Sequence, residues 1–194
     1  GAAGAPHTSR ADGETGQIVV RAVFRGDPAD HKPQPFEEVI ATECAHFAPI
    51  LSEAVLINGT NPLTLQNAAV WIESGPIDFR DPPTLRSQRI NVEGCAFSPR
   101  IIAVREDQPI FINSKDALKH RMVIRRTKAK EITLVIPKPG MQVNLSLEAE
   151  DGPIPLESKR LPWMKAWILV FDHPYFALTE SDGSDSFSSF LPGE

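Results

Sequence analysis

The sequence has only two cysteines, Cys44 and Cys95, among its 194 residues. Neither belongs to a C-x-x-C pair, the spacing that structural zinc sites and dithiol redox centres use. An even count suits a disulfide in an oxidising compartment, and two buried free thiols are the other reading of the same pair. A bridge would stabilise the fold by about 4 kcal/mol in the chain-entropy model. Long hydrophobic runs are also missing. The longest, AWILVF at 166–171, has the length of a strand, whereas a membrane-crossing helix needs about 18 apolar residues or more. A basic excess is absent too, and the net charge of −5 argues against nucleic acid as a partner of the chain as a whole.

Catalytic spacings are equally scarce. There is no His-x-His, no His-Glu-x-x-His and no Gly-rich phosphate loop. His46 lies two residues from Cys44 and His173 lies in an Asp-His-Pro turn, but neither has a spacing that supports a metal or hydrolytic site. Glu148, Glu150 and Asp151 are close in sequence but read as solvating a strand end rather than as an acid–base pair. Ser158 has no His/Asp arrangement to activate it. The chain is therefore read as a protein that is not an enzyme.

Eighteen Pro and twelve Gly punctuate short runs rich in Val, Ile, Leu and Phe, the pattern of an all-β sandwich. Strands are expected at 17–25, 54–57, 66–73, 88–92, 101–105, 109–113, 120–125, 131–137, 141–149 and 165–171. Ile18, Val20, Ala22 and Phe24 share one face, and Val143, Leu145 and Leu147 share another. A short helical or irregular insertion is expected at 35–48, and a single helical turn at 114–119. The opening GAAGAP, without an initiator Met, reads as the remnant of a removed signal segment or as an added tag. Residues 1–15 lack periodicity and read as a flexible arm, 16–178 as the sandwich, and 179–194 as a tail that could begin a further element.

Three segments carry a resemblance: GCAFSPRIIAVREDQPIFINSKDALKHRM at 94–122, PKPGMQVNLSL at 137–147, and PWM at 162–164 followed by DHPYF at 172–176. In this order they resemble a bacterial extracytoplasmic cupredoxin-like family, the methylamine-utilisation or plastocyanin-like domains. The resemblance implies a Greek-key β-sandwich. It also implies a type 1 copper site with one His from mid-domain and a Cys-x-x-His-x-x-Met loop near the end. His120 matches the first His and Met164 the axial Met, whose thioether tunes the potential. Leu161 stands where the second His would be, and Ser158 where the Cys would be. Arg121 follows His120 where the family usually has Asn. The resemblance further implies that Cys95, in a segment like the family's structural disulfide, has Cys44 as its natural partner.

The expectation is a secreted, periplasmic or envelope-associated domain that has lost type 1 copper binding and serves as a structural or binding module, with no cofactor expected. The alternative is a copper-binding or electron-transfer protein with a non-standard site on His120 and Met164, with Met122 as a further donor. Lys159 and Arg160 now occupy the ligand loop. Lys115, Lys119, Arg121, Arg125, Arg126, Lys128 and Lys130 crowd the facing segment. Lys119, Arg121, Lys159 and Arg160 make a candidate patch for an anionic protein surface or glycan. Charged residues on an exposed strand face are also ordinary, so a merely solvated face is the other reading.

Overall fold

The computed structural model describes residues 16–37, 43–53, 55–73 and 86–190. Fifteen strands occur among them: β1 (Gly16–Arg21), β2 (Leu56–Asn58), β3 (Thr64–Gln66), β4 (Ala69–Trp71), β5 (Gln88–Glu93), β6 (Ala96–Ser98), β7 (Ile101–Arg105), β8 (Ile110–Ser114), β9 (His120–Ile124), β10 (Ile132–Ile136), β11 (Gln142–Leu145), β12 (Ile154–Ser158), β13 (Lys165–Phe171), β14 (Phe176–Leu178) and β15 (Ser184–Phe190).

Two sheets form the main body, ordered β10-β9-β12-β13-β7 and β11-β8-β5-β6. From β7 onward the chain passes repeatedly from one sheet to the other, so β7 pairs parallel with β13 and β5 parallel with β8, while other neighbours are antiparallel. The result is the all-β sandwich expected from the strand pattern, in the Greek-key arrangement that the resemblance implies. Period-2 alternation explains its core. In β8, Ile110, Ile112 and Ser114 point inward while Phe111 and Asn113 stay half-exposed. Ile90, Met122, Ile124, Ile136, Leu156 and Ile168 join them, all fully buried between the sheets. Each such side chain contributes about 1.5–3 kcal/mol on transfer from water.

A smaller β annex lies against this sandwich, made of the pairs β1–β15, β2–β3 and β4–β14. Its own core is Tyr175, Ala177 and Phe187, with Ile18, Val20 and Ile72 packed around them. The annex meets the sandwich at Phe171 of β13, which stacks on Phe176 at 4.7 Å and touches Trp71 at 5.7 Å. Within the annex, Ala22 N donates to Gly183 O at 2.8 Å. Gly183 has φ +76°, and a Cβ there would sit 2.6 Å from Ala22 O, so the position requires glycine.

Several expectations change. Residues 184–190, in the segment set apart as a tail, pair with β1. The run 66–73 is two strands, broken at Asn67 with φ 62°. The strand expected at 141–149 ends at Leu145. No helical turn forms at 114–119, which is a bent loop. In the described part of 35–48, residue 37 and Ala45–Phe47 are 3-10 helical; residues 38–42 and the arm 1–15 lie outside the described residues.

Candidate functional site

β9 begins with His120 and β12 ends with Ser158, and the two strands are neighbours with Ser158 opposite Met122. Their registers therefore bring the four positions of interest to one end of the sandwich. Ser158 N donates to Met164 O at 3.0 Å, Met164 N donates to Leu161 O at 3.0 Å, and Lys159 N donates to Arg121 O at 2.9 Å. These bonds close residues 158–164 into a tight loop. The main chain of Arg121, rather than a side chain at that position, ties the loop to β9.

Ser158 Oγ accepts from Arg160 N at 3.2 Å and from Leu161 N at 3.1 Å. This is a local side-chain cap of the turn. Leu161, Trp163 and Met164 are buried members of the main core. Trp163 Nε1 donates to Cys95 O at 3.0 Å, which fastens the loop to the β5–β6 turn. That turn carries the Cys44–Cys95 disulfide, with a sequence separation of 51.

His120 is 2% exposed and faces Asp116, whose Oδ2 lies 3.2 Å from Nε2. The approach is too oblique for a hydrogen bond, and Nε2 has no other partner among the described residues. Asp116 is better served. Its Oδ1 accepts from Gly94 N at 2.7 Å and its Oδ2 from Cys95 N at 3.0 Å. Gly94 and Cys95 have φ 63° and 58°, so two successive N–H groups point at one carboxylate, a backbone anion nest filled from within the chain. Burial opposes ionisation of Asp116, but the His120 ring and the two amides outweigh it and hold its pKa below the ordinary value. Asp116 was not singled out from the sequence. The available signal was Ser114-Lys115-Asp116, in which Asp116 N donates to Ser114 Oγ at 3.2 Å, a local turn bond of the kind Ser and Asp favour.

A type 1 copper centre takes a thiolate and two imidazoles in a trigonal plane with a weak axial thioether. The four positions here offer one imidazole, one hydroxyl, one hydrocarbon and one thioether, and that set does not fit. Among the described residues no group of three or more His, Cys, Asp and Glu side chains is placed to hold a metal ion.

The basic residues fall into two sets. Lys159 pairs with Glu131 at 3.4 Å and Arg160 with Glu43. Arg125 pairs with Glu157 and Glu131, Arg126 with Glu148 and Glu150, Lys128 with Asp151, and Lys115 with Glu93. The carboxylates expected merely to solvate a strand end are thus matched to cations. Glu150 also accepts from Thr127 N at 2.7 Å and Thr127 Oγ1 at 2.8 Å. Its burial opposes ionisation, and these bonds with the Arg126 guanidinium still hold its pKa low. Lys119 and Arg121 are exposed and make no ion pair among the described residues.

Two other histidines considered from the sequence lie elsewhere. His46 is exposed against Phe47, with ring centroids 3.8 Å apart. His173 is buried beside the annex and accepts from Tyr175 N through Nδ1 at 3.1 Å. Burial pushes its pKa down.

No protein-family model and no curated protein matches the chain. Among solved structures it is similar to an oxidised amicyanin variant, with 15% identity over 44% of this chain and 82% of that chain and a TM-score of 0.38. It is similar to a purple cupredoxin from Nitrosopumilus maritimus, with 17% identity over 43% of this chain and 99% of that one at a TM-score of 0.36. It is also similar to a copper-containing nitrite reductase from Thermus scotoductus SA-01, with 16% identity and a TM-score of 0.36 over 50% of this chain. That last match spans 24% of the reductase. Superpositions this loose describe neither ligand nor activity.

Proposed function

We propose that this chain is a non-catalytic, cupredoxin-like domain of an extracytoplasmic protein, without a type 1 copper centre, working as a structural or binding module. The observation that carries this reading is Ser158. A hydroxyl stands where the resemblance calls for a thiolate, and it caps the backbone of its own loop. Leu161, at the second His position, lies in the hydrophobic core. The disulfide supports an oxidising compartment. An anionic protein surface or glycan would find Lys119 and Arg121, since Lys159 and Arg160 already face carboxylates.

Copper addition to the purified protein tests the metal half of this reading. The expected result is no intense copper–thiolate absorption and no tight stoichiometric copper binding that His120→Ala abolishes. Either signal would move the assignment to the alternative, a non-standard copper site on His120 and Met164. The binding half is tested on an immobilised sulfated glycan, where the Lys119→Glu/Arg121→Glu variant is expected to elute at lower salt than the wild type.

A further inference from the structure

Beside the closed loop, and apart from the basic patch, lies a cavity of about 250 Å³ walled largely by apolar groups, including Phe36, Ile50, Phe97, Trp163 and Met164. One cation stands at its wall. Arg100, in the turn between β6 and β7, donates from Nε to Lys165 O at 3.2 Å and from Nη2 to Trp163 O at 3.2 Å. Two backbone carbonyls therefore hold the guanidinium in place, and a guanidinium has five N–H donors. No carboxylate among the described residues forms an ion pair with it; Glu53, which shares the cavity wall, acts on it only at longer range. Half-burial pushes the Arg100 pKa down, as expected for a cation that has given up water without gaining an anion. This contrasts with Arg125 and Arg126, which are matched to glutamates. Ligand pockets commonly combine such apolar walls with one convergent polar group.

We propose that this cavity is a binding site for a small apolar monocarboxylate, its hydrocarbon body against Phe97, Trp163 and Met164 and its carboxylate on Arg100. The fixed guanidinium supplies a fork that a carboxylate can meet with two hydrogen bonds. The apolar wall explains the preference for a hydrocarbon body over a hydrated anion such as sulfate. The inference does not depend on whether the His120 end binds metal, and it concerns a surface other than Lys119 and Arg121.

Calorimetric titration of the whole chain with octanoate, octan-1-ol and octylamine, each below its aggregation limit, tests it. Octanoate is expected to bind at least tenfold more tightly than the alcohol, and the amine more weakly than either. Arg100→Gln should remove the preference for octanoate over octanol. Because Arg100 also holds Trp163 O and Lys165 O, a second variant, Ala96→Leu, narrows the cavity from β6 and should weaken octanoate and octanol alike. Equal binding of octanoate and octanol, no binding of either, or unchanged octanoate affinity in Ala96→Leu would each overturn the proposal.

Discussion

β9 and β12 build two surfaces of opposite character from the same ten residues. On the inner side, His120, Met122, Ile124, Ile154 and Leu156 are buried, and the loop that follows β12 adds Leu161, Trp163 and Met164 to the same core. On the outer side Arg121 is exposed and Glu157 is half-buried, and Arg125, just past the end of β9, reaches Glu157 and Glu131. The inner end holds the positions where ligands are expected, yet packing and backbone bonds use them. The outer face holds formal charges that largely cancel in pairs. A residue count alone sees a basic patch and a depleted metal site, while the geometry sees a packed loop and a balanced face.

The comparison can be broken from the inside first. Cys95→Ser removes the crosslink across 51 residues and is expected to cost about 4 kcal/mol, read as a lower midpoint in urea. Met164→Ala leaves a hole beside Trp163 and should cost about 2–5 kcal/mol in the same assay. Ser158→Ala removes an acceptor from two loop amides in a half-exposed turn, and a loss of about 1 kcal/mol is expected. On the outside, Arg125→Ala should cost between about 0 and 1 kcal/mol, because its side chain is 53% exposed and water screens the pair. A larger loss for Arg125→Ala than for Met164→Ala would reverse the contrast.

Acid offers a further test that reaches both sides. Asp116 and Glu150 have folded pKa values below their ordinary 3.8 and 4.5. Their stabilisation is therefore full above those ordinary values and is lost as pH falls through the lower folded ones. The midpoint in urea should decline below the ordinary carboxylate range, and Glu150→Gln should flatten that decline.

Much of the sandwich was legible because its strands alternate cleanly. β5, β7, β8, β9 and β13 lie where Val, Ile and Phe runs put them, give or take a residue. β12 was not: Pro153 and Pro155 flank Ile154, and proline is disfavoured inside a strand, so the segment carries no strand signal. The structure admits Pro155 near the start of the strand, where the ladder to β9 begins only at Leu156. β15 is SDSFSSF, too poor in β-branched residues to signal a strand, and its pairing with β1 joins residues about 170 positions apart, which local pattern cannot report. At the candidate site, His120, Ser158, Leu161 and Met164 were legible through the resemblance. Asp116 was not, since its role depends on two left-handed residues in another hairpin. The pairing of Lys159 and Arg160 with Glu131 and Glu43 depends equally on contacts distant in sequence.

The central claim is that Ser158 and Leu161 have replaced copper chemistry with packing. Visible absorption during titration of the metal-free protein with copper tests it most directly. The account predicts no intense copper–thiolate band at any copper ratio, because both cysteines are joined to each other and position 158 carries a hydroxyl. A strong band that saturates at one copper per chain would contradict it.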